Sequence, residues 1–189
     1  PALVELDRAL QRDPLSGTSG ALRVQLRMIL RRVDASTAAA QIKDIVAAHP
    51  ESVFVHRTAT LIYVSLHRYP EAEAQARAAA TLNGEDPDAV ALLIRGMADP
   101  VQRERAVQSL ETSAADAGLP RDAILRAVFL MHLGERDRAL ALLDAEATHS
   151  AIPQLLWLTV FDPVRDDPRF KAALKKMGLP YTPEKLAPP

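Results

Sequence analysis

The chain contains no cysteine. A disulfide framework, a thiolate zinc site and a cysteine nucleophile are therefore excluded, while the redox compartment stays open. Glycine is scarce, at 7 of 189 residues, and aromatic residues make up only 4%. No run of alternating β-branched and polar residues bounded by turn residues occurs, so strands have little support and a sandwich or barrel core is not expected. An excess of one charge is also missing: the formal net charge is −1. Proteins that neutralise a phosphate backbone carry a basic excess, so direct nucleic-acid binding is not expected from this segment. Apolar runs are short, the longest being Ala89 to Ile94 and Leu155 to Val160 with Thr159 inside. Neither approaches the ~18 apolar residues of a membrane span. No basic-then-apolar signal segment opens the chain.

Alanine is abundant. The stretch Glu71 to Ala80 contains only strong helix formers. Prolines stand where helices should begin or end: Asp13-Pro14, His49-Pro50, Tyr69-Pro70, Asp99-Pro100, Asp162-Pro163 and Asp167-Pro168. Asp before Pro suits an N-cap followed by the first helical residue. The pattern predicts about eleven helices of roughly 10 to 16 residues joined by short turns.

The chain repeats itself. Ala38, Ala72, Ala106 and Ala139 are spaced by 34, 34 and 33 residues. Four residues beyond each stand Ile42, Ala76, Leu110 and Leu143. Twelve residues after Ala2 and Ala38 come Pro14 and Pro50, and Gly84 holds that place after Ala72. Two helices of about 14 residues plus two tight turns fill such a period, and the small residue lets the second helix approach the first. Neither helix can bury its apolar face alone, so units must stack.

This pattern resembles the tetratricopeptide repeat. The best unit is Val53 to Asp86, with Ala59 and Thr60 at the Leu-Gly pair of the family, Tyr63 at its tyrosine, Ala72 at its alanine, Ala76 at its aromatic, Ala79 at its next alanine and Gly84 at its proline. The Leu-Gly, aromatic and proline positions depart from the family pattern. Leu133 to Ala139 is a second family-like turn leading into the packing alanine. The resemblance implies an all-α, right-handed α-solenoid of antiparallel helix pairs, in one domain over 1–189. It divides into a half repeat at 1–18, repeats at about 19–52, 53–86, 87–119 and 120–152, C-terminal capping helices within 153–180 and a tail at 181–189. The unit at 87–119 is irregular, its first helix cut short near Ala98 by Asp99-Pro100. A helix near 153–161 and a capping helix near 168–177 close the array, with Gly178 and Pro180 as stop signals. The opening half repeat reads as the start of a fragment cut from a longer protein, and Pro189 as a terminus. The first helix, 2–12, carries Leu3, Val4, Leu6 and Leu10; with no helix before it, it should leave apolar surface open to fraying or weak self-association.

Arg23, Arg27 and Arg31 stand four apart on a helix expected at 20–33, in one stripe beside Leu22, Leu26, Ile29 and Val33. In the family, the first helix of each unit lines a concave groove, and unit positions five and nine point into it. Here those are Arg23 and Arg27, Arg57 and Leu61, Ala91 and Arg95, then Ile124 and Val128. Two readings of Arg23, Arg27, Arg57 and Arg95 stand together: a peptide-binding groove for an acidic ligand, or a solvated basic face balanced by acids on the second helices. The family's asparagine-containing clamp for a terminal carboxylate is not supported, since no asparagine occupies these positions.

Elsewhere little suggests chemistry. His49, His56, His67, His132 and His149 form no metal-ligand pair of the HxxxH or HExxH kind. Ser16 to Gly20 lacks the flanking strand and the lysine of a phosphate loop and reads as an inter-repeat loop. Asp166-Asp167 and Glu85-Asp86 read as helix caps. Leu155 to Phe161 reads as core packing under the closing helix, or as an exposed docking patch. The function expected is a non-catalytic protein- or peptide-interaction module without cofactor or metal, the C-terminal part of a larger bacterial signalling or transcription regulator. The alternative is the regulatory domain of a multidomain enzyme, a nucleotide cyclase or protein kinase, whose catalytic part lies upstream. The cytoplasm is the compartment expected, or the periplasm for a membrane-anchored parent.

Overall fold

A computed structural model describes residues 2–112, 122–146 and 152–179. The unit boundary near 119–120, His149, Pro180 and the tail at 181–189 lie outside the described residues. Those described are all helical apart from turns. The order is α1 (Ala2–Arg12), α2 (Gly17–Ile29), α3 (Ala35–Ala48), α4 (Val53–Ser65), α5 (Tyr69–Asn83), α6 (Pro87–Ala98), α7 (Pro100–Thr112), α8 (Ala123–His132) and α9 (Arg136–Glu146). Two 3₁₀ turns follow, Pro153–Trp157 and Thr159–Val164, and then α10 (Pro168–Lys176). Helices adjacent in sequence pack on each other from α1 to α7, then α8 on α9 and α9 on α10, while α2 also touches α4.

Local chemistry sets the helix starts. Ser16, Asp34 and Ser52 accept backbone N–H bonds from Ser19, Thr37 and Val55 and so cap α2, α3 and α4. Asp86, Asp122 and Asp167 do the same for α6, α8 and α10, with Pro87 and Pro168 as first helical residues. Such a cap satisfies one of the four N–H groups left free at a helix start. Asp99 caps α7 through the N–H of Val101 at 2.9 Å.

One turn recurs at the helix ends. After α2, the Arg32 N–H reaches the Arg27 carbonyl and the Arg31 N–H the Met28 carbonyl. The same pair of bonds runs from Arg68 to Tyr63 and His67 to Val64 after α4, and from Glu135 to Leu130 and Gly134 to Met131 after α8. This closure needs a left-handed residue at its centre. Gly134 supplies it with φ 87°, but Arg31 (φ 54°) and His67 (φ 55°) carry side chains. A non-glycine residue there costs about 1–2 kcal/mol.

The packing alanines occupy the contact positions. Ala38, Ala72, Ala106 and Ala139 are fully buried, as are Ile42, Ala76, Leu110 and Leu143 four residues on. Ala38, Ala72 and Ala139 are each the fourth residue of their helix; Ala106 is the seventh of α7, because that helix begins early at Pro100. Gly96 of α6 faces Ala106 so closely that a Cβ on it would lie 2.5 Å from the Ala106 Cβ. Short side chains on both helices therefore set the α6–α7 approach.

Three expectations change. Ser16 to Gly20 is not a loop: Ser16 is the cap and Gly17 to Gly20 are the first turn of α2. A Cβ at Gly17 would meet the His49 ring at 2.5 Å, so the glycine serves a close approach to the end of α3. The helix expected at 20–33 spans Gly17–Ile29, and Arg31 leaves the stripe because it sits in the left-handed turn beyond it. The helix expected near 153–161 is instead two 3₁₀ turns, separated at Leu158 by extended backbone (φ −60°, ψ 147°) and interrupted by Pro163, whose ring nitrogen has no proton to donate.

Leu155, Leu156, Leu158, Phe161, Phe170 and Leu174 join a core that continues without a break to Ala21 and Val24. The Phe161 and Phe170 rings stack with centroids 5.6 Å apart. The core reading of the 155–161 cluster therefore holds for Leu155, Leu156, Leu158 and Phe161. At the other end, α1 has no buried residue; Leu3, Leu6 and Leu10 are half-buried and Val4 is exposed.

Candidate binding groove

Each of the four arginines has a partner within the chain. Arg23 of α2 pairs with Asp7 of α1 at 3.4 Å. Arg57 of α4 pairs with Glu85, in the turn after α5, at 2.6 Å. Arg95 of α6 pairs with Glu73 of α5 at 2.7 Å, and Glu73 also holds Arg77, which reaches Asp88 at 2.8 Å. Arg27 donates to the Arg32 carbonyl at 3.3 Å, across the turn that ends α2. Asp7 and Glu73 come from the second helix before the arginine, and Glu85 from the turn that ends the second helix after it, so each ion pair ties a first helix to a neighbour. Glu73 is held below its ordinary value, first by the hydrogen bond from Arg95 and then by that from Arg77.

These pairs are open to water. The side chains of Arg23, Arg57 and Arg95 are 38%, 51% and 41% exposed. Exposed pairs of this kind contribute about 0–1 kcal/mol each. An incoming carboxylate can therefore replace an internal one at little cost.

The groove positions of the later units differ. Ala91, Ile124 and Val128 are fully buried. α8, which carries Ile124 and Val128, packs against both 3₁₀ turns of the closing segment. That segment also reaches back across the array. Arg31, at the end of α2, donates to Asp162 at 2.7 Å. Asp162 further accepts from Arg165, whose guanidinium lies over the Trp157 ring at 5.9 Å and hydrogen-bonds the carbonyls of Trp157 and Leu158. Arg31, read from the sequence as standing in one stripe with Arg23 and Arg27, holds the closing segment instead.

The sequence does not single out Glu73, and Glu85 reads there with Asp86 as a helix cap, whereas Asp86 alone caps α6 and Glu85 pairs with Arg57. The available signal was weak: Glu73 directly follows the packing alanine Ala72, and Glu85 follows the turn glycine Gly84. Among the histidines, His56 is buried and bonded to Gln75 and to the Pro50 carbonyl, a structural role. Among the described residues, no group of three or more His, Cys, Asp or Glu is placed to hold a metal ion, and no helix is long and apolar enough to cross a membrane. No family model, curated protein or solved structure matches the chain.

Proposed function

We propose that the chain is a right-handed α-solenoid of the tetratricopeptide kind, acting as a non-catalytic protein-interaction module that takes an acidic peptide along its first three full units. The observation that carries this reading is the recurrence of one contact scheme, with a buried alanine every 33 or 34 residues and a leucine, isoleucine or alanine buried four residues later. A stacked array of this sort offers an extended surface rather than a cleft. The preference for acid rests on Arg23, Arg27, Arg57 and Arg95, all within 19–119. Guanidinium groups take carboxylates in paired hydrogen bonds, which gives direction as well as charge.

The test is binding of acidic and basic peptide pools to the full chain at low salt. Acidic peptides are expected to be retained and basic ones not, with retention falling as salt rises, because partly exposed ion pairs are screened. Equal retention of both pools would overturn the reading.

A further inference from the structure

A cavity of about 240 Å³ lies where the ends of α4 and α8 meet the second 3₁₀ turn. Its polar lining is Ser65 and His67 from the end of α4, His132 from the end of α8, Arg136 from the start of α9, and Thr159. Met131 and Val160 form apolar wall, and among the described residues no carboxylate lines it.

The repeat itself places two of these groups. Ser65 and His132 each immediately precede the leucine that caps their helix, Leu66 and Leu133. They are 67 residues apart, the sum of one 34-residue and one 33-residue period. Equivalent positions of two units thus turn toward the same space. Ser65 Oγ and His132 Nε2 are both buried with no hydrogen-bond partner. Unpaired buried polar atoms are uncommon and call for an explanation. His67 adds a second peculiarity, since it occupies the left-handed position that its counterpart fills with Gly134. Strain of this kind persists where a side chain has a use. The His67 and His132 rings stand edge to face with centroids 6.3 Å apart, and His67 Nδ1 is bonded to the Tyr69 hydroxyl.

We infer that this cavity is a binding site for a small oxyanion, a phosphate group in preference to a carboxylate. The lining offers two hydroxyls, two imidazoles and a guanidinium with no acid among its described residues, so the guanidinium repels cations and its positive charge is uncompensated until an anion enters. A phosphate carries enough oxygens to accept from Ser65, His132 and Arg136 separately, whereas a carboxylate has two. The volume lies below the ~300–1,000 Å³ of pockets for drug-sized ligands, so the occupant is the anion itself or a short phosphomonoester. Its walls come from α4, α8, α9 and the closing segment, so an occupant would join two units to the segment that closes the array. The site is separate from the arginine groove, and neither reading depends on the other.

The test is titration of the full chain with inorganic phosphate, methyl phosphate and acetate at constant ionic strength, reading the His67 and His132 imidazole resonances. Both are expected to move saturably with phosphate, and with acetate only weakly. Loss of a charge-assisted hydrogen bond should weaken phosphate binding about tenfold or more in Arg136→Ala. Ser65→Ala should weaken it less, and Arg57→Ala, on the groove, should leave it unchanged. A tighter response to methyl phosphate than to inorganic phosphate would assign the site to phosphomonoesters, and the reverse to the free ion. Imidazole resonances unmoved by millimolar phosphate, or equal responses of Arg57→Ala and Arg136→Ala, would overturn the inference.

Discussion

Phe161→Ala is expected to destabilise the chain by about 3–5 kcal/mol, the cost of removing a large buried aromatic side chain and leaving a cavity. Phe161 is fully buried and stacks on Phe170 of α10. It follows Val160, a wall of the cavity, and precedes Asp162, which Arg31 at the end of α2 holds. Its loss should therefore loosen the whole closing segment, with hydrogen exchange accelerating in α10 before α4. Val101→Ala is the matched control, since Val101 is 85% exposed; surface changes of that kind fall within about 0.5 kcal/mol. Urea midpoints for the two variants compare them directly. A Phe161→Ala loss no larger than that of the control would mean that the segment is not packed as described.

Acidification should destabilise the chain through His132. Burial, and then the nearby His67, hold the His132 imidazole down to about 4 from an ordinary 6.5. The unfolded chain takes up this proton near pH 6.5, and the folded chain does so only near pH 4. Between those values the unfolded state binds more protons, so this contribution is fully present above the upper one and is lost as pH falls toward the lower. The slope reaches about 1.4 kcal/mol per pH unit, and the loss between about pH 7 and pH 5 comes to about 2 kcal/mol. Asp34, Glu71, Glu73 and Asp167 are also held below their ordinary values, mainly by hydrogen bonds. Their contributions run the same way but fade only below their unfolded values of 3.8 to 4.5, which leaves the window above about pH 5 to His132. Urea unfolding at both pH values, in the wild type and in His132→Gln, separates the effects. The variant should show a clearly smaller loss; an unchanged loss would place the proton uptake elsewhere.

The sequence made the packing positions legible because they depend on side-chain size at a fixed period, which a linear comparison detects. Ala38, Ala72, Ala106 and Ala139 were found that way, and all four are buried. Capping was legible for the same reason: Asp before Pro acts within a few residues, as Asp99 and Asp167 do. What escaped depends on contacts distant in sequence. Ser16 to Gly20 read as a loop because glycine is a poor helix former, yet Gly17 stands where the His49 ring needs the space. Arg31 looked helical because its spacing from Arg27 is helical; only the left-handed turn removes it from the stripe. The arginines were visible, but their partners were not, since Arg57 meets Glu85 and Arg95 meets Glu73 across helices. The cavity escaped for the same reason: Ser65, His132 and Thr159 belong to three stretches distant in sequence that meet only in the folded chain.

Both functional readings rest on the register of the repeat, and one paired measurement tests it most directly. Ala72 and Ala74 lie two residues apart on α5, the first fully buried and the second exposed. Each is replaced by leucine, and the unfolding free energy is measured in urea. Leucine at 72 should overpack the contact with the neighbouring helix and cost about 1–3 kcal/mol. Leucine at 74 should change stability by no more than about 0.5 kcal/mol. Equal costs, or a larger cost at 74, would contradict the register and with it the placement of the groove and the cavity.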